Sequence, residues 1–253
     1  MNAFDEFIKL LENSRRVVAL TGAGVSTLSG IPDFRSSDGL YSKSYGKLDV
    51  ETIVSINFFN LHPDVFYSWA KDYWFRMDSF KPNIIHKTLA DLERLGKLSE
   101  GIFTQNVDFL HERAGSKNVY PLHGTLERGF CTNCHAYYDY KYMANEVEKG
   151  NVPKCRNCEG VVKPDIVFYG ENLNSSILSR AESAFSYADL VLVLGTSLVV
   201  NPAATLPYLS VREGKDIVIV NRDKTYLDDY AVLKFDDLRA FFTSLSKWVG
   251  SRV

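Results

Sequence analysis

The chain has 253 residues, 45% of them hydrophobic and 24% charged, enough for one large or two unequal domains with a sizeable core. Lys and Arg number 29 against 31 Asp and Glu, a formal net charge of −2, so no overall field draws the protein onto nucleic acid or an anionic membrane. The longest apolar run, at 190–194, is far too short to span a bilayer.

Residues 2–13 place Phe4, Phe7, Ile8, Leu10 and Leu11 at spacings of three and four among Asp5, Glu6 and Glu12. That predicts an amphipathic surface helix rather than a signal peptide. A buried strand at 17–20 ends in Thr21-Gly22-Ala23-Gly24, and runs at 101–105, 119–122, 165–169, 190–194, 217–220 and 232–235 read as strands of the same kind. Helices are predicted at 84–95, stopped by Gly96, at 202–212 and at 238–249. Such alternation is the signature of an α/β fold, a parallel sheet with crossover helices. Two segments break the rhythm. Residues 36–83 are aromatic-rich, with a helix opening at Pro63 and running through Phe66, Tyr67, Trp69 and Trp74. Aromatics at helical spacing are read as core rather than as a ligand box. Residues 125–164 hold all the cysteines, and the two segments together are expected to build a smaller lobe beside the sheet.

The four cysteines fall in one 28-residue window as Cys131-x2-Cys134-x20-Cys155-x2-Cys158. Paired Cys-x2-Cys knuckles at that separation present four thiolates tetrahedrally to one Zn²⁺ and leave no open position for a water nucleophile. The zinc is therefore expected to be structural. Two disulfides are the other use of four cysteines; the knuckle spacing favours metal and a reducing, cytoplasmic compartment.

Other motifs sit at strand ends, where ligands of open α/β sheets bind. Gly22-Ala23-Gly24-Val25-Ser26 follows the first strand, and its small residues would let backbone N–H groups approach a pyrophosphate at a helix N-terminus. A tight turn without ligand explains it as well. It departs from the dehydrogenase fingerprint: Thr27 stands in the third glycine's place, and no acidic residue about 20 positions on ends a second strand. Gly30-Ile31-Pro32-Asp33-Phe34-Arg35 could close on a charged ligand or be a turn with a surface ion pair. In Thr104-Gln105-Asn106-Val107-Asp108 an amide and a carboxylate two apart could fix a carboxamide and a ribose hydroxyl, with helix capping by Asp108 as the plain alternative. His123, with Gly124 beside it, is a candidate proton acceptor or a structural histidine. His86 and His111 lie on predicted helices. Gly195-Thr196-Ser197 and Val220-Asn221 suit contacts to an adenosine moiety, or simple turns.

Taken jointly and in this order, these motifs, with the four cysteines and residues 163–171, resemble the sirtuin family of NAD-dependent protein deacylases, in its bare bacterial or archaeal form. The resemblance spans residues 22–221. It implies a Rossmann-like NAD-binding domain of residues 1–35, 84–124 and 165–253, and a small domain of 36–83 and 125–164 made of a helical module and a zinc ribbon. By similarity, Gly22, Ala23, Thr27, Phe34 and Arg35 line the phosphate and ribose region. Gln105, Asn106, Val107 and Asp108 form the ribose and nicotinamide pocket, and Thr196, Ser197 and Asn221 hold the adenosine half. Val167 lines the acyl-lysine tunnel, while Gly170-Glu171 and Val199-Val200 pair with the peptide backbone. His123 is implied as general base on a ribose hydroxyl, with Asn106 beside it, and the products as free lysine, nicotinamide and O-acyl-ADP-ribose.

Family members that prefer succinyl or malonyl groups carry a Tyr and an Arg three apart in the helical module. Here Tyr67 is followed by Ala70, so acetyl and other short neutral groups are expected. The expected partners are acetyl-lysine proteins or peptides, with no direct nucleic-acid binding, no membrane and a monomeric state. A protein mono-ADP-ribosyltransferase using the same pocket is the nearest rival. A zinc-ribbon binding module without turnover is the rival of a different class.

Overall fold

The computed structural model describes residues 2–33, 39 and 45–252. Its strands are β1 (Val17–Thr21), β2 (Gly101–Thr104), β3 (Val119–Pro121), β4 (Gly124–Cys131), β5 (Tyr137–Asp139), β6 (Val162–Ile166), β7 (Leu190–Leu194), β8 (Asp216–Val220) and β9 (Leu233–Phe235). Its helices are α1 (Ala3–Asn13), α2 (Val50–Ile53), α3 (Ile56–Leu61), α4 (Pro63–Tyr73), α5 (Ile84–Arg94), α6 (Leu110–Arg113), α7 (Tyr140–Glu148), α8 (Ser175–Tyr187), α9 (Leu206–Arg212) and α10 (Leu238–Gly250).

Six strands form one sheet in the order β3-β2-β1-β7-β8-β9, every neighbouring pair parallel. β1 and β7 are buried at every position, as strands covered on both faces must be. The side-chain period of two divides them between two cores. Val17, Ala19, Leu192 and Leu194 pack with Phe7 and Leu11 of α1, Ile85 and Leu89 of α5, and Phe242 and Leu245 of α10. Val18, Leu20, Val191 and Val193 pack on the other face with Ala181, Ala184 and Phe185 of α8. The chain order reverses direction between β1 and β7. This is the switch point at which doubly wound sheets open a crevice.

β4, β5 and β6 form a separate antiparallel sheet, order β5-β4-β6. With α2, α3, α4 and α7 it encloses a third core that includes Phe59, Phe66, Tyr67, Trp69 and Trp74, so the aromatic stripe is core as expected. One expectation fails here. The strand predicted at 165–169 begins earlier, at Val162, and pairs with β4 rather than joining the parallel sheet. Its Pro164 lacks an N–H, which suits this short flanking strand and not the centre of a sheet. Sequence reading also passed over α8. Its Ser-rich sequence has modest helix propensity, and its buried face is made of small residues, Ala181 and Ala184, beside Phe185.

Candidate active site

A cleft of about 780 Å³ opens at the switch point, between the ends of β1 and β7 and the smaller domain. Such a volume lies within the range of small-molecule sites, ~300–1,000 Å³. Its floor is a close crossing of two loops. The N–H of Gly22 donates to Leu194 O at 3.0 Å and that of Gly24 to Gly195 O at 2.9 Å. A β-carbon on Gly24 would stand 2.8 Å from Gly195 Cα, and one on Gly22 2.7 Å from Gly195 O. The two amides are thus engaged within the protein, and these glycines serve the loop crossing rather than lending their N–H groups to a phosphate. Nor does an α-helix begin here. Ala23–Val25 and Thr27–Ser29 are single 3-10 turns, closed by Gly30 at φ 90°.

The end of β2 supplies a buried polar network. The Asn106 side-chain amide donates to Gly22 O at 3.0 Å and to Ser26 Oγ at 3.2 Å. The Ser26 hydroxyl donates to Asp108 Oδ2 at 2.6 Å, while Asp108 Oδ1 accepts Leu110 N at 3.0 Å. One carboxylate therefore both supports the start of α6 and holds the Ser26 hydroxyl. Burial raises the Asp108 pKa, against the bonds from Ser26 and Leu110 and the nearby Arg113 charge. Behind it, the rings of His86 and His111 meet edge to face at 4.8 Å. His86 Nε2 lies 3.5 Å from Ser26 Oγ, and His111 Nε2 lies 3.0 Å from Thr21 Oγ1. Burial lowers the His86 pKa to about 4 and, helped by the His86 charge, sets His111 well below its ordinary value. Both rings are neutral at pH 7.

His123 follows β3. Its Nδ1 lies 3.0 Å from the carbonyl oxygen of Gln105. A carbonyl only accepts, so Nδ1 carries the proton and Nε2 is the basic nitrogen of the neutral ring. The Gln105 side chain in turn donates to Thr196 Oγ1 at 2.9 Å, tying the ends of β2 and β7. Gly124 has φ 78°, and a β-carbon there would stand 2.0 Å from Asp165 O. Only glycine lets β4 start this close to β6.

Ala23, Thr27, Gln105, Asn106, Val107, His123, Thr196, Ser197 and Asn221, all expected from sequence, line this one cleft. Val167, Gly170 and Glu171 line it too, as do Val199 and Val200. Asp108 lies one layer deeper with Ser26, Ile31 and Trp74 around a small side pocket. Phe34 and Arg35 lie outside the described residues. The expected list missed Ser26, Thr21, His86 and His111. Their signal was a histidine on an otherwise apolar helix face, as with His86 between Ile85 and Leu89. Tyr67 does not reach the cleft: its buried hydroxyl donates to Val162 O, and Ala70 is fully buried.

Away from the cleft, the Sγ atoms of Cys131, Cys134, Cys155 and Cys158 all lie within 4.8 Å of one another. The Cys131–Cys158 and Cys134–Cys155 separations are 3.4 and 3.5 Å, too long for disulfides. They approach the roughly 3.8 Å edge of a tetrahedron with Zn–S bonds of about 2.3 Å. Backbone N–H groups of Asn133 and Asn157 point at Cys131 and Cys155 sulfur at 3.4 Å, as around thiolates. The donor set fits one structural Zn²⁺.

Comparison with known proteins agrees with this geometry. The Sir2 family model matches residues 22–202. The chain is 47% identical over 231 residues to the NAD-dependent protein deacetylase of Thermotoga maritima, covering 91% of this chain and 92% of that one. A solved complex of Sir2 with a p53 peptide and NAD⁺ superposes with a TM-score of 0.89 at 44% identity, covering 99% of this chain and 100% of that one. A Sir2Tm structure bound to a propionylated peptide gives a TM-score of 0.88 at 43% identity, over 98% of this chain and 99% of that one.

Proposed function

Because the chain belongs to the Sir2 family, we propose that it is an NAD-dependent protein-lysine deacetylase, acting also on other short neutral acyl groups. The observation that carries this reading is His123, its tautomer set by Gln105 O, on the same cleft as Asn106 and the acyl-side wall at Val167. NAD, when bound, supplies the ribose carbon that accepts the acyl oxygen and a nicotinamide that leaves as a neutral molecule.

The residues of this chain hold and orient. Asn106 and Asp108 offer amide and carboxyl groups for the carboxamide, backed by Ser26. Val54, Trp74, Val107 and Phe168 give the cleft apolar walls that exclude water and suit a neutral acyl chain. His123 Nε2 takes a proton from a ribose hydroxyl, a contribution of roughly 10²–10⁴-fold. Gln105 and Val107 border the nicotinamide ribose. Thr196, Ser197 and Asn221 hold the adenosine half, with Ala23 and Thr27 toward the phosphates. Gly22 contributes through the loop crossing. Gly170 and Glu171 meet the peptide backbone.

We place two domains broadly as the sequence suggested, with the second boundary moved beyond β6, because Ile166 and Phe168 pack in the small domain's core. No helix of the described residues is long and apolar enough to cross a membrane. We infer a monomer acting on acetylated proteins in the cytoplasm, and the net charge of −2 argues against a nucleic-acid partner.

The test mixes adenine-labelled NAD with an acetyl-lysine peptide. Peptide-dependent release of nicotinamide, with label in O-acetyl-ADP-ribose, is the expected result. Label on an acceptor protein, with no free acetylated product, would select ADP-ribosyl transfer instead.

A further inference from the structure

Lys163 belongs to β6 and lies opposite Phe130, directly beside the strand position of Cys131. Its side chain is only 16% exposed, uncommon for a lysine. The ammonium group has three neighbours, all from the segment just downstream. It donates to Ile166 O at 2.7 Å, pairs with Glu171 Oε2 at 2.9 Å, and stands 4.1 Å from the centre of the Phe168 ring. Glu171 Oε2 also accepts the Phe168 N–H at 2.8 Å. The segment between is a turn, closed by Glu171 N donating to Phe168 O at 2.9 Å with Gly170 at φ 90°. One partly buried cation is thus enclosed by both ends and the middle of the wall that faces the cleft.

That wall has little regular structure of its own. After Ile166 it continues outside any strand, with a single bridge of Tyr169 to Ser55. Val167 N donates to His123 O at 2.9 Å and Tyr169 N to Val54 O at 3.0 Å, so its position also bears on the His123 backbone. Burying a lysine costs free energy unless its charge is matched, and an apolar residue would pack here more cheaply. Burial lowers the Lys163 pKa, and the hydrogen bond and charge of Glu171 oppose that shift.

We propose that Lys163 is a positioning residue for acyl-peptide binding: its ammonium, held by Ile166 O, the Phe168 ring and Glu171, fixes residues 166–171 as the peptide-side wall of the cleft. The proposal rests on the deacetylase reading and names a residue that touches neither reactant. NAD would lie against Thr196, Ser197 and Asn221, on the other side, and is left alone.

The experiment compares wild type with Lys163→Met, Lys163→Arg, Glu171→Gln and the Lys163→Met/Glu171→Gln pair. The probe is a pentapeptide with acetyl-lysine between Ala and Gly residues. Its Kd is measured calorimetrically without NAD, and KM for peptide and for NAD each at saturation of the other. Lys163→Met should raise peptide Kd and KM tenfold or more, with KM for NAD within twofold. Glu171→Gln should do the same, the pair should be no worse than Lys163→Met alone, and Lys163→Arg should stay within about threefold of wild type. A peptide Kd within twofold of wild type in Lys163→Met overturns the proposal. So does an equal rise in both KM values, the mark of a general loss of structure. If Lys163→Met does not fold, Glu171→Gln decides by the same criteria. Absence of peptide-dependent nicotinamide release in wild type would instead refute the deacetylase reading.

Discussion

His123 Nδ1 sits 3.0 Å from the carbonyl oxygen of Gln105, and this one bond decides which nitrogen of the ring is basic. A main-chain carbonyl only accepts, so Nδ1 donates and Nε2 is left as the base. It follows that His123→Ala removes the base and leaves the cleft otherwise intact. Deacetylation should fall by roughly 10²–10⁴-fold, while NAD binding, followed by calorimetry, changes little. Unchanged deacetylation in this variant would take His123 out of its role.

The Gly24 and Gly195 loops cross too tightly for a side chain. Gly24→Ala places a methyl group 2.8 Å from Gly195 Cα, against backbone that cannot swing aside. The strain should cost about 1–3 kcal/mol of stability, read as a lowered denaturant midpoint at unchanged m-value. Wild-type stability in that variant would show that the two loops separate easily.

Tyr67 is committed to Val162 O within the core. Tyr67→Phe therefore strands a buried carbonyl, at a cost of about 1–3 kcal/mol, and should leave the preference for acetyl-lysine over succinyl-lysine as it was. Faster turnover of a succinyl than of an acetyl peptide by the wild-type enzyme would contradict the proposed acyl preference.

His86 and His111 give stability a pH dependence whose sign can be worked out. Burial lowers both folded pKa values, that of His86 from 6.5 to about 4, so the folded state disfavours protonation. The unfolded chain therefore binds more protons as pH falls below its own histidine pKa, and stability declines from there to about pH 4. For His86 alone the full loss is roughly 3 kcal/mol. The raised pKa of Asp108 acts in the opposite sense, since acid relieves its buried charge. Melting temperature should drop between pH 7 and pH 5, with a shallower slope in His86→Asn. Equal slopes in the two proteins would mean that His86 is not the group responsible.

Four thiolates at these separations should hold one zinc per chain. Stripping it with a chelator, or Cys155→Ser, should lower the melting temperature and abolish activity through the smaller domain, since β4 and β6 frame both the ribbon and the cleft wall at Gly124 and Ile166. Full activity in metal-free protein would argue against a structural zinc.

Much of this was legible in the residues. The apolar runs at 17–20 and 190–194 mark central strands because a strand covered on both faces has nowhere to put a polar side chain. The cysteine spacing encodes its tetrahedron within two local knuckles. His123, Asn106 and Asn221 were found because strand ends in such sheets converge on one edge. Other parts depend on contacts between residues far apart in the chain. Nothing local to Gly22 or Gly24 says that their amides turn to Leu194 and Gly195, nor does the helix bearing His86 disclose Ser26 beside it. The strand expected at 165–169 finds its true bounds, 162–166, and its antiparallel partner β4 only in the folded chain, because a side-chain period of two serves either kind of sheet. The sequence alone determined which chemistry is present and at which strand ends. Tertiary packing alone decided which amides are already engaged, which histidines are buried and neutral, and that Lys163 faces Glu171, because burial and partner choice arise only once distant segments exclude water together.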